Sequence, residues 1–179
     1  MIERVIDMKK IPIGTKSFSR LIEGNYYFVD KTLMIQEFLE RGTDVTLITR
    51  PRRFGKTINM SMLSEFFDIT KDSKEIFKDT LIMKTPYASE INQYPTIFIS
   101  FADAKRDKMT VITTIKTQIQ NQWDKYDYVF ENLKGFKKLR YENLCNNLED
   151  YNTLDGINDA ISFLMEKLQS YYHKEVMVF

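Results

Sequence analysis

The segment from Val45 to Phe67 constrains the fold more than any other part of the chain. Val45-Thr46-Leu47-Ile48-Thr49 is short, apolar and β-branched, the composition of a buried strand. Beyond it, Ile58, Met62, Leu63, Phe66 and Phe67 fall on one face of a helix. The turn between them is Arg50-Pro51-Arg52-Arg53-Phe54-Gly55, and the helix opens on Lys56-Thr57. This string follows the pattern G-x-x-x-x-G-K-[ST], with Arg50 in place of the first glycine. Backbone N–H groups of such a loop turn inward around phosphates, the helix end favours negative charge, and Gly55 permits close approach of the backbone. Lys56 is then the catalytic cation reaching the β- and γ-phosphates. The Thr57 hydroxyl is the metal ligand, on a Mg²⁺ ion that also bridges phosphate oxygens.

The tripeptide alone carries little weight, since average residue usage yields Gly-Lys-Thr or Gly-Lys-Ser by accident in roughly one chain in ten of this length. The strand before it and the amphipathic helix after it supply the context that such a motif needs. The bland alternative is an ordinary strand-helix turn whose arginines and lysine are merely solvated. Pro51 fixes its own φ and removes one backbone donor, so Arg52 or Arg53 is expected to meet part of the phosphate charge. The expected nucleotide-binding residues are Arg50, Pro51, Arg52, Arg53, Phe54, Gly55, Lys56, Thr57 and Ile58.

Strand and helix patterns alternate along the rest of the chain. Tyr26-Tyr27-Phe28-Val29 is β-prone, and Leu33, Met34, Ile35, Phe38 and Leu39 follow at helical spacing with Gly42 as a stop. Pro95 to Phe101 is a nearly continuous apolar run, as expected of a strand covered on both faces. Val111, Ile112, Ile115, Ile119 and Trp123 mark one side of a long helix. From Tyr126 to Asp150 the pattern is polar and interrupted at Gly135, which predicts short helices. Ile157, Ile161, Leu164, Met165 and Leu168 predict another amphipathic helix, and Val176-Met177-Val178-Phe179 opens a buried strand. Alternation of this kind implies βαβ units with right-handed crossovers, hence an α/β fold with a mainly parallel sheet flanked by helices, incomplete at the C-terminus.

Length and composition narrow the class. The 179 residues suffice for one domain with a proper core, and 43% apolar with 28% charged residues is the balance of a packed globular chain. Net charge is +1, which removes any whole-molecule argument for nucleic acid or an anionic membrane. The single cysteine, Cys145, has no partner for a disulfide or a zinc site, and neither a secretory signal nor a membrane span is readable. A cytoplasmic protein without a membrane association is expected.

The string Arg50-Pro51-Arg52-Arg53-Phe54-Gly55-Lys56-Thr57 resembles the signature loop of the bacterial and archaeal AAA-ATPase-like family. Upstream, Ile11-Pro12-Ile13-Gly14 and Asn25-Tyr26-Tyr27-Phe28-Val29-Asp30-Lys31-Thr32 look like the family's N-terminal arm. Tyr94-Pro95-Thr96-Ile97-Phe98-Ile99-Ser100-Phe101 looks like its next sheet strand. The resemblance implies a P-loop NTPase-like domain over 1–179, with an arm and helix over 1–42 and a nucleotide-binding core over 43–179. It implies ATP and Mg²⁺ as cofactors. It places the Walker B carboxylates at the end of the strand that Val176–Phe179 begins, so the chain is expected to bind ATP better than it hydrolyses it. Relatives often carry a C-terminal PD-(D/E)XK nuclease-like domain, which would bring nucleic acid as a partner, and often form homo-oligomers.

Other residues have competing readings. Asp103, just past the apolar strand, is a candidate substitute magnesium carboxylate, although loop aspartates more often cap a turn. Asp30 and Lys31 could lie across the adenine side of a site, or Asp30 could cap the helix behind it. His173 fits an interaction with a helix C-terminus. Lys134, Lys137, Lys138 and Arg140 form a basic stretch that a solvated helix face explains. Tyr171 and Tyr172 have core or surface explanations rather than nucleic-acid stacking. The rivals to ATP binding are a phosphate- or nucleic-acid-binding module using the same basic loop, and a degenerate scaffold that has lost binding.

Overall fold

In the computed structural model, residues 9–49, 51, 54–101 and 108–179 are described. The chain divides into two units, Met1–Gln93 and Tyr94–Phe179, and the division falls inside the stretch 43–179 that the sequence treats as one core.

Phenylalanine builds the core of the first unit. Its helices are α1 (Phe18–Glu23), α2 (Leu33–Arg41), α3 (Lys56–Phe67) and the single turn α4 (Lys74–Phe77), followed by 3₁₀ turns over Leu81–Lys84 and Pro86–Glu90. Phe18, Phe66, Phe67 and Phe77 are fully buried, with Phe18 and Phe66 rings 5.0 and 5.2 Å from that of Phe77. Ser17 starts α1 by accepting the Arg20 N–H, and the Phe18 N–H donates to the Ser61 hydroxyl at 3.1 Å, which clips α1 to α3. Helix α2 stops at Gly42 in the left-handed conformation (φ +55°), the stop that the sequence predicts.

The end of α3 is held by Asn92. Its own backbone N–H donates to Phe66 O at 2.6 Å, and its carboxamide donates to Asp68 O and Glu65 O while accepting the Ser73 N–H at 2.8 Å. Carbonyls that a helix end would orphan are thus met by the backbone and side chain of one residue. The buried Glu65 carboxylate accepts the Ser73 hydroxyl at 2.8 Å and the Lys71 ammonium at 2.5 Å.

In the second unit the order is β1 (Thr96–Ile97), α5 (Lys108–Lys125), a 3₁₀ turn over Asp127–Phe130, α6 (Phe136–Glu149), α7 (Ile157–Tyr172) and β2 (Met177–Val178). β1 and β2 pair in parallel, Thr96 opposite Met177 and Ile97 opposite Val178. The ladder continues through Phe179 N–H to Ile97 O and Ile99 N–H to Phe179 O. The core joins Ile97, Ile119, Trp123, Phe130, Phe163 and Leu168 with their neighbours, and Trp123 stacks on Tyr141 at 5.3 Å. Lys116 of α5 is fully buried, and its ammonium donates to Asn147 O and Asp150 O at the C-terminal end of α6.

The edge of β1 facing away from β2 is closed by side chains of α5 and the residue after it. Ser100 exchanges both backbone hydrogen bonds with the Gln118 carboxamide, and the Phe98 N–H donates to Gln122 Oε1. The Tyr126 hydroxyl accepts the Thr96 N–H and donates to Thr96 O, which also accepts from Lys125.

The molecule is therefore mixed and helix-rich, with a smaller sheet than the sequence predicts. Val45–Thr49 forms no strand: Val45 and Leu47 are 85% and 84% exposed. A strand needs a neighbour for its backbone groups, and β propensity cannot supply one. The expected strand over 95–101 is reduced to Thr96–Ile97, and Tyr26–Val29 contributes one parallel bridge, Tyr26 with Lys10. Val176–Phe179 pairs as expected but is half-exposed rather than buried, with Val178 46% exposed. Between Tyr126 and Asp150 the short helices resolve into one 3₁₀ turn and a single 14-residue helix, α6.

Candidate phosphate-binding loop

Gly55 is where the loop becomes a helix. It sits at the N-cap of α3 with φ +74° and ψ +16°, a conformation that an L side chain adopts only with strain. Its carbonyl accepts the Asn59 N–H at 2.9 Å, the first helical bond of α3. Among the described residues no side chain caps this end, and no acidic residue lies in the first turn. The positive end of the α3 dipole favours an anionic group at this end.

Lys56 is exposed and bends back over the loop, its ammonium donating to Pro51 O at 3.2 Å. The contact joins the two ends of the turn. Thr57 and Ile58 are half-buried, while Phe54 is 59% exposed. Arg50, Arg52 and Arg53 lie outside the described residues, as does Asp103. Among the described residues no group of three or more His, Cys, Asp or Glu side chains could hold a metal ion. A Mg²⁺ ion on the Thr57 hydroxyl would take further oxygen ligands, which phosphate and water can supply.

The other sequence candidates take structural places. Asp30 accepts the Thr32 N–H and hydroxyl through one oxygen, and the Leu81 N–H at 2.8 Å through the other. The Thr32 hydroxyl in turn accepts the Ile82 N–H. Asp30 thus anchors the start of α2 to the 3₁₀ turn over Leu81–Lys84, a tie across some fifty residues that local sequence gives no means to read. Lys31 is exposed. His173 is the C-cap of α7 in the left-handed conformation, its backbone N–H donating to Gln169 O. Lys134, Lys137, Lys138 and Arg140 are all exposed at the start of α6. Tyr172 is half-buried and its hydroxyl pairs with that of Tyr128, whereas Tyr171 is 56% exposed. Among the described residues no helix is long and apolar enough to cross a membrane.

An open groove of about 650 Å³, lined by Ser100, Met109, Thr110, Thr113, Thr114, Thr117 and Gln118, lies in the second unit. Its four threonines sit at helical spacing on the side of α5 away from the apolar residues by which the sequence marks that helix. Among the described residues its lining is uncharged.

Comparison with known proteins places the chain. A protein of Azotobacter chroococcum mcd 1, described as an uncharacterized protein in the vnfD 5' region, is 47% identical over 60 residues, which are 33% of this chain and 11% of that protein. This chain thus matches about one-ninth of that relative's length. No solved structure matches. The model of a family described as predicted AAA-ATPase matches residues 12–179, nearly the whole chain including the loop and the arm, and the chain belongs to that family.

Proposed function

We propose that residues 50–58 bind Mg-ATP, with Lys56 on the terminal phosphates and the Thr57 hydroxyl on the metal ion. The observation that carries this reading is the turn itself, with left-handed Gly55 at the helix start and the Lys56 ammonium folded onto Pro51 O. A γ-phosphate is a stronger acceptor for that ammonium than a neutral carbonyl, so nucleotide exchanges one partner of Lys56 for a charged one. Membership of a predicted AAA-ATPase family supports an ATPase-like role. Hydrolysis needs, in addition, a carboxylate that polarises water, and none of the described residues is assigned that task.

Thermal unfolding with and without Mg-ATP tests the reading. At ~100 times its dissociation constant, nucleotide should add about 2.7 kcal/mol of stability, and Lys56→Ala should abolish the gain. An equal gain in the variant would remove Lys56 from the site. Binding to polyanions in low salt without any response to Mg-ATP would favour the basic-loop alternative.

A further inference from the structure

Helix α6 begins with a cluster that the core does not use. Phe136 is 90% exposed and Leu139, one turn on, is 52% exposed. Lys134, Lys137, Lys138 and Arg140 flank them in sequence, all exposed, and no carboxylate falls between residues 134 and 140. Two of the cations are partly committed: Lys138 lies 3.9 Å from Glu142, and Arg140 lies 3.7 Å from Glu166 with its guanidinium over the Phe163 ring. Lys134 and Lys137 make no ion pair within 4 Å of a described residue, although Lys137 is near enough to Glu166 to help Lys167 hold its carboxyl below the usual range. The start of α6 has no side-chain cap and no acid in its first turn, so the helix end adds to the positive field.

Farther along, the same outward face carries Asn143, Asn146 and Asn147, all exposed. We propose that this face of α6 is a docking surface for single-stranded nucleic acid, with Phe136 stacking on an unpaired base and Lys134 and Lys137 on adjacent phosphates. Charge complementarity selects an anionic partner, and the shape of the apolar part selects which one. One ring and one leucine make a footprint the size of a base rather than the continuous stripe that an interfacial membrane helix buries. Asparagines on the rest of the face would be desolvated by lipid, whereas their carboxamides offer both donors and acceptors to base edges.

The test is fluorescence anisotropy of a labelled mixed-sequence DNA oligonucleotide, single-stranded and duplex, with the full chain. The single strand should bind more tightly than the duplex. Phe136→Ala should weaken single-strand binding about tenfold, in the range for loss of one stacked base. Lys134→Gln combined with Lys137→Gln should lower the slope of log K against log salt by about 1.4, or ~0.7 for each phosphate that is no longer neutralised. Both variants alter exposed side chains, and circular dichroism checks that they remain folded. Unchanged affinity in Phe136→Ala overturns the proposal, as does preferential binding of the duplex. Competition by excess Mg-ATP would move the binding to the 50–58 loop and overturn it too. So would Phe136-dependent binding to phosphatidylserine vesicles without binding to the oligonucleotide.

Discussion

Two glycines with nearly the same backbone conformation differ in what surrounds them. At Gly55 (φ +74°) an added Cβ meets nothing within 4 Å among the described residues, whereas at Gly156 (φ +79°) it falls 2.8 Å from the Asn147 Cβ. Gly55→Ala should therefore cost only the left-handed strain, about 1 kcal/mol, and Gly156→Ala should cost more because α6 must shift. Urea midpoints of the two variants check the order. Tyr141 offers a second reading at this scale, since burial first, and then its neighbour Cys145, pushes its phenol up to about 12. A raised phenol favours the folded state below its ordinary value near 10, and that contribution is lost as pH rises through about 12. Phenolate absorbance should lose a late-titrating component in Tyr141→Phe. The loop glycine was legible in sequence because its requirement is local. Asp30 was not, because its second oxygen serves the Leu81 N–H, and nothing near residue 30 announces that partner.

Helices were more legible than strands, and the reason is where each finds its hydrogen bonds. The apolar faces of α2, α3, α5 and α7 stand in the sequence at helical spacing, and a helix pairs its own backbone. Helix α6 is mostly exposed and polar, so periodicity could not mark its extent. Val45–Thr49 has the composition of a strand and lacks a strand partner among the described residues, whereas Thr96–Ile97 has β2 on one side and α5 side chains on the other. That second side can be probed. Tyr126→Phe leaves Thr96 O satisfied by Lys125 but strands the buried Thr96 N–H, and should cost about 1–3 kcal/mol. Calorimetry would read this as a lower Tm, and an unchanged Tm would mean that the hydroxyl is dispensable. Replacing Gln118 and Gln122 with alanine would bare the same edge and should promote aggregation, read by light scattering.

At the scale of the whole chain, the residues of each core belong to one unit: the phenylalanine cluster to the first, and the cluster around Trp123 to the second. The sequence has no Pro/Gly-rich boundary near Gln93, so the division is invisible to composition and emerges from which side chains meet. Trp123 is the chain's one tryptophan, and its fluorescence reports the second unit alone. Residues 94–179 expressed by themselves should keep the emission of the full chain. A shift to that of solvated indole would show that the second core depends on the first. The family was legible from the loop and the arm together, while the small sheet was not, since strand pairing is decided by residues far apart in sequence. Lys116, seated on two peptide oxygens in the interior, has a practical corollary for such experiments. An acylating reagent should modify Lys134 at once and reach the Lys116 amine only when its helix bundle breathes open, so the delay between the two adducts would clock that event without any engineered probe.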